Sequence, residues 1–220
     1  SGVYDELIRA FRAAPVRFAD ETSWRTDGAN TWVWLFGTTQ LSVYSFRPTR
    51  AGTVPADILG PDPLAGSLNV DRYAAYHRLA LFLQYCYAHL LRDLQDVEKK
   101  DPDSVEVKAF VASLAPRLAD AMELHRLPLS DRQYYRRAQH LKRRIVAIVS
   151  RPANHPDIRA YQDIFTKNSH RLYHWVTDRR VPADNNAAER GLRPLVIARK
   201  TSFGSQSPRG CRTREILMSV

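Results

Sequence analysis

The spacing of the hydrophobic residues changes once along this chain, near residue 98, and that change limits the folds open to it. Before it, apolar residues alternate with polar ones or form short runs; after it, they recur at steps of three and four. Residues 3–13 read as a short helix with Val3, Leu7, Ile8 and Phe11 on one side. Val16, Phe18 and Asp20 then alternate with Arg17 and Ala19, which predicts a strand with Asp20 at its C-terminal end, facing the way of the apolar residues. Thr31–Phe36 and Gln40–Phe46 are β-rich runs around Gly37-Thr38-Thr39, a hairpin signal. A helix over Thr53–Leu59 is stopped by Gly60-Pro61-Asp62-Pro63. A strand over Ser67–Asp71, a helix-compatible run from Tyr73 to Leu79, a strand over Leu81–Cys86 and a helix near His89–Val97 follow. Three strands, helix, strand, helix, strand predict an α/β domain built on a mixed sheet with helices on its faces.

Beyond the change the pattern is helical only. Val107, Val111, Leu114, Leu118 and Met122 make one amphipathic helix, and Tyr134, Ala138, Leu141, Ile145 and Ile148 a second. Past Pro152 and Pro156, a third carries Ile158, Tyr161, Phe165, Leu172 and Trp175. This block reads as an insertion within the α/β domain. The expected division is residues 1–97 for the first part of the domain, 98–181 for the helical insertion and 182–220 for the final part.

Lys plus Arg number 33 against 23 for Asp plus Glu, a net charge of +10 over 220 residues, which favours a polyanionic partner. Only Cys86 and Cys211 are present, so a disulfide framework and a four-cysteine zinc site are excluded, and a reducing, cytoplasmic setting near the nucleoid is expected. No apolar run approaches the roughly 20 residues that span a bilayer. The chain stops after Glu215-Ile216-Leu217-Met218 while still patterned as a helix, so it is expected to be a piece of a longer protein.

Chemistry concentrates in Asp184-Asn185-Asn186-Ala187-Ala188-Glu189-Arg190-Gly191-Leu192-Arg193-Pro194 and the following Arg199-Lys200. One carboxylate, Glu189, stands among Arg190, Arg193, Arg199 and Lys200, whereas a solvated helix face alternates its charges at four-residue spacing. With Asp20 and Asp71 at strand ends, three separated acids on a basic chain point to metal-dependent phosphoryl transfer on nucleic acid. Mg²⁺ takes hard oxygen ligands and keeps some waters, so a few carboxylates suffice. The plainer reading of each acid is a turn-capping Asp or a Glu189–Arg193 pair at i+4.

The strings Ala19-Asp20-Glu21-Thr22, Val70-Asp71-Arg72-Tyr73-Ala74-Ala75-Tyr76, Cys86-Tyr87-Ala88-His89, Asp184 to Lys200, and Phe203-Gly204-Ser205 with Gly210 occur in that order. In them the chain resembles the catalytic core of DDE transposases, in particular the insertion sequence 66 family, over most of residues 15–220. The resemblance implies a ribonuclease-H-like fold with an all-helical insertion. It implies a catalytic and metal-binding triad of Asp20, Asp71 and Glu189 holding Mg²⁺, with Mn²⁺ able to substitute. DNA is the implied partner, as transposon ends and target, with cleavage and strand transfer as the reaction; a homodimer or higher assembly on DNA and helper proteins go with it. Arg190, Arg193, Arg199 and Lys200 are the implied phosphate holders. The chain departs from the family in Val70-Asp71-Arg72-Tyr73, where Thr-Asp-Gly-Tyr is usual, and in Tyr87, where Trp is common. Two alternatives share these features: a DNA-binding module without catalysis, and a ribonuclease-H-like nuclease that cuts without joining.

Four further features stay open at this level. Cys86-x-x-His89 has the shape of half a zinc site and reads as core packing. Glu21 is expected to face away from Asp20, behind the triad. The basic block Arg132–Arg144 with Tyr134 and Tyr135 suits DNA contact and a solvated face equally. Asn185 and Asn186 fit either a helix cap or the ordering of metal-bound water, and Pro194 is expected to kink or end its helix.

Overall fold

A computed structural model describes residues 2–79 and 81–219. The chain divides into two compact units, Ser1–Leu83 with Asn185–Val220, and Gln84–Asp184. The first unit opens with α1 (Gly2–Ala13), β1 (Val16–Thr26), β2 (Ala29–Gly37) and β3 (Ser42–Arg47), followed by α2 (Thr53–Leu59), β4 (Ser67–Val70) and β5 (Phe82–Tyr85). The β1–β2 turn sets Asp27 and Gly28 both at positive φ, as a tight hairpin between right-twisted strands requires. β1 lies antiparallel to β2 and parallel to β4, and the sheet order is β3-β2-β1-β4-β5, a mixed five-stranded sheet flanked by helices.

The second unit contains α3 (Tyr87–Lys100), α4 (Val105–Leu124), α5 (Asp131–Val149), α6 (Pro156–Lys167), a 3₁₀ turn at Ser169–Arg171 and α7 (His174–Thr177). Its helices start where the chain supplies caps. Ser104 accepts a hydrogen bond from the Val107 amide, Ser130 and Gln133 form a capping box, and Pro156 occupies the first turn of α6. Val107, Val111, Leu114 and Leu118 of α4 and Tyr134, Ala138, Ile145 and Ile148 of α5 are buried as their spacing predicts. Gln84 is fully buried and satisfied: its amide donates to the carbonyls of Tyr85 and Leu172, and its oxygen accepts from the amides of His174 and Trp175.

The chain then returns to the sheet as α8 (Asn186–Ser202), packed on β1 and β2, and α9 (Pro208–Met218), packed on β3. On this face Phe18, Trp24, Val33, Leu35, Tyr44 and Phe46 form one core with Ala188, Leu192 and Leu195 of α8 and Cys211 of α9. Each large side chain buried there stabilises the fold by about 2 kcal/mol. On the opposite face Phe11 meets Phe36 edge-on at 5.8 Å and Trp34 meets Tyr76 at 6.0 Å. The Arg17 guanidinium is buried on that side and donates to the carbonyls of Phe11 and Arg12, so it caps the last turn of α1, and to that of Ala65.

Three expectations need correction and a fourth narrows. β1 does not end at Asp20 but continues to Thr26, because Glu21–Thr26 pair in register with β2. Residues 73–79 hold a single 3₁₀ turn at Ala74–Tyr76, with the amides of Tyr76, His77 and Leu79 each donating three residues back. α6 ends at Lys167, short of the helix expected to carry Leu172 and Trp175, and Asn168 turns its side-chain amide back to the Ile164 carbonyl; Leu172 and Trp175 are buried from later elements. α8 runs through Pro194 to Ser202, so that proline does not end it. Among the described residues no helix is long and apolar enough to cross a membrane.

Candidate carboxylate site

The parallel pairing of β1 with β4 sets Phe18 opposite Asn69. Asp20 lies two residues beyond Phe18 on β1, and Asp71 two residues beyond Asn69, just past the end of β4. Asp20 shares the parity of Phe18 and Trp24 and therefore faces α8. On its other side Asp20 pairs with Leu35 of β2, and Leu35 lies under Gly191 of α8. A Cβ on Gly191 would fall 2.4 Å from the Leu35 side chain, so only glycine lets the helix approach this closely. The Tyr44 hydroxyl donates to the Gly191 carbonyl at 2.7 Å and fixes that approach. Asn185, the residue before α8, donates from its side-chain amide to the Ala19 carbonyl at 2.8 Å. Two anchors, at Ala19 and at Leu35, thus hold the first turn of α8 over Asp20, and Glu189 belongs to that turn.

The electrostatics agree with this geometry. The Asp20 carboxyl is pushed up from 3.8 to about 7, first by burial, then by the neighbouring Glu21, and further by Asp71 and Glu189. The Glu21 amide, donating to Asp20 Oδ1 at 2.9 Å, only partly offsets this. Asp71 and Glu189 therefore both act on Asp20, although they are separated from each other by 118 positions (189 minus 71). Asp71 stands just past the end of β4 and is steadied by the Tyr73 amide at 2.8 Å.

Glu21 faces the other side of β1, as expected, but it is more than a bystander. It is buried, accepts from the Tyr76 hydroxyl at 2.6 Å and pairs with Arg50 at 2.6 Å. Burial raises its pKa, and Asp71 adds to the rise, against the hydrogen bonds from Tyr76 and Arg50. Arg50 also stacks over Tyr73 at 3.9 Å and Trp32 at 4.8 Å, and its carbonyl accepts from the Tyr73 hydroxyl at 2.7 Å. Glu21, Arg50, Tyr73 and Asp71 thus form one chain of contacts that holds the loop of the second acid against β1. Sequence reasoning passed over Arg50, whose loop carries no spacing cue. Tyr76 lay within a string that the family resemblance had already picked out.

The four cations near Glu189 divide. Arg190, Arg193 and Lys200 are exposed. Arg199 is half-buried and donates to the Thr22 hydroxyl and to the carbonyl and hydroxyl of Ser23, bracing β1. Asn185 sits at the cap position of α8 without capping it, its side chain being used on β1. Asp184, in the second unit, is buried and paired with Arg126 at 2.9 Å. Cys86 is fully buried at the start of α3, in keeping with its reading as core packing, and Trp24, Trp34 and Trp175 are buried while Trp32 is half-buried.

A sheet that sets two acids side by side, crossed by a helix bringing a third, is the framework of a polyacidic site. The chain matches the family described as "Transposase IS66 family" over residues 1–213 and belongs to that family. It is similar to the uncharacterized protein y4jD of Sinorhizobium fredii (strain NBRC 101917 / NGR234), 26% identical over 99% of this chain and 48% of that protein. It is also similar to the uncharacterized protein y4qI of the same organism, 27% identical over 95% of this chain and 44% of that protein. The chain thus spans about half the length of the curated relatives it matches.

Proposed function

We propose that this chain is the catalytic core of a DDE transposase, cleaving DNA at transposon ends and joining the freed end to target DNA. The reading includes a ribonuclease-H-like fold for the sheet unit, with residues 84–184 as its helical insertion. Family membership supports it, and the observation that carries it is the meeting of Asp20, Asp71 and Glu189 on one face of the sheet.

The donor set suits a divalent cation. Three carboxylates supply hard oxygens, and Asp20 is raised first by burial and then by the acids around it, a setting in which a cation would favour its charged form. Asp20, Asp71 and Glu189 are the residues that would hold Mg²⁺ or Mn²⁺. When bound, such an ion lowers the pKa of an attacking water and neutralises charge on a phosphoryl group. Asp20, protonated in part near neutrality, gives up its proton as the site fills, so loading strengthens with pH through about 7. Glu21 and Arg50 keep Asp71 in place from behind the strand. Arg190, Arg193 and Lys200 offer exposed cations to phosphates, while Arg199 keeps β1 in position.

The test pairs a binding and an activity measurement. Mn²⁺ should raise the melting temperature of the wild type and leave Asp20→Ala, Asp71→Ala and Glu189→Ala unmoved. The same three variants should lose strand cleavage on DNA bearing the element's ends while keeping a folded circular dichroism spectrum. Cleavage retained by Glu189→Ala would sink the assignment.

A further inference from the structure

The helical unit contains a feature of its own. A groove of about 600 Å³ runs between α4 and α5, and its α5 wall carries Arg136, Arg137, His140, Arg143 and Arg144. Arg136, His140 and Arg143 follow i, i+4, i+7, so they share one helix face, and Arg137 and Arg144 repeat the seven-residue step beside them. Seven residues advance the helix by about 10.5 Å, so the arginines form two pairs spaced along the groove.

These cations are unusual in having no counter-charge. Arg136, Arg137, Arg143 and Arg144 are all exposed, and among the described residues none pairs with a carboxylate. α5 has a single acid, Asp131, and it pairs with Arg179 at 2.6 Å. The acids that do line the groove are engaged: Asp120 with Arg117 at 3.1 Å, and Glu123 with Arg126. A face that is merely solvated relieves such crowding with opposite charges four residues apart, and this one does not. Lys142 shows the contrast, since it turns away to lie over the Tyr173 ring at 5.0 Å. Four unpaired planar forks along a concave wall match phosphate oxygens at regular spacing.

We propose that the α4–α5 groove binds the sugar-phosphate backbone of DNA, without sequence preference, as a contact surface contained in the helical unit. The proposal rests on the DNA-handling function proposed above and adds a second DNA contact to it, separate from the carboxylates.

The experiment is fluorescence anisotropy with a labelled duplex lacking transposon ends, titrated with the full chain at several salt concentrations. The wild type is compared with Arg136→Gln/Arg143→Gln and with the quadruple variant that adds Arg137→Gln and Arg144→Gln. Glutamine keeps helix propensity close to that of arginine, and the positions are exposed, so folding should hold; the double variant carries the test if the quadruple does not fold. The quadruple variant should bind at least about tenfold more weakly, with a salt slope smaller by about 0.9 for each phosphate it no longer neutralises. Unchanged affinity and slope in the folded variants would overturn the proposal. So would tighter binding of poly-glutamate than of the duplex at equal charge, which would assign the groove to acidic polypeptides. If the wild type cleaves DNA while the arginine variants bind it normally, the groove fails and the transposase reading stands. If the variants bind weakly but the wild type never cleaves, the groove stands and the catalytic reading falls.

Discussion

Asp20→Asn should stabilise the metal-free protein at alkaline pH, by an amount the site itself sets. The folded carboxyl titrates at about 7 against an ordinary value of 3.8, because burial, Glu21, Asp71 and Glu189 all oppose its charge. The native state therefore keeps a proton that the unfolded chain has released, so this group favours unfolding increasingly as pH rises from about 4 to about 7, and the effect levels off above that. Three pH units correspond to a ceiling of about 4 kcal/mol, of which about 2.5 kcal/mol falls between pH of about 5 and about 8. Asparagine removes the charge and keeps an oxygen that can accept the Glu21 amide. Urea unfolding with EDTA, on both proteins at both pH values, reads the effect directly. The variant's advantage should grow by about 2 kcal/mol from the acid to the alkaline condition, and Mn²⁺ should reverse it by stabilising only the wild type. An equal difference at both pH values, or a less stable variant at the higher one, would refute the crowding argument.

Arg50→Ala leaves the buried Glu21 carboxylate with the Tyr76 hydroxyl alone; since Arg50 is itself partly exposed, the expected loss is about 2 kcal/mol in chemical denaturation, less than for a fully buried pair. Gly191→Ala gains about 1 kcal/mol of helix propensity but drives a methyl to 2.4 Å from Leu35, and overpacking of about 1–3 kcal/mol wins. A double-mutant cycle with Leu35→Val should recover part of that loss, and strict additivity would count against the close approach. Ser130→Ala breaks the capping box of α5, so a cost of about 1 kcal/mol should appear together with faster amide exchange in the first turn of that helix.

The sequence carried the local features well and the long-range ones through motif alone. Thr53–Leu59 is helical with the expected bounds, since Gly60 at positive φ stops it. The α4 and α5 stripes are buried because each residue's face follows from spacing that its neighbours share. Asp20 was taken as a strand end because its apolar alternation weakens there. The pairing that extends β1 to Thr26 comes from β2, which the residues of β1 alone do not reveal. The run from Tyr73 to Leu79 has helical composition, yet it closes only a 3₁₀ turn at Ala74–Tyr76, and composition alone does not separate the two. The Arg50 clamp and the Arg199 brace join residues 29 and 177 positions apart. The convergence of Asp20, Asp71 and Glu189 was legible only as motif order; the register of β1 with β4 and the two anchors of α8 supply its physical cause.

The discontinuity of the sheet unit has a consequence for how the chain matures. Glu189 emerges from synthesis only after the whole helical unit, so the cluster of acids is completed late and a truncated product lacks it. Closing a loop of roughly a hundred residues costs about 2 kcal/mol more than closing one of ten. The helical unit removes much of that burden once folded, because the Tyr87 amide donates to the Ala183 carbonyl at 2.8 Å and the chain leaves the unit beside where it entered. Folding of the helical unit thus acts as a splint for the late segment, and a mutation that slows it would delay the arrival of Glu189 at the sheet without touching a single acidic residue.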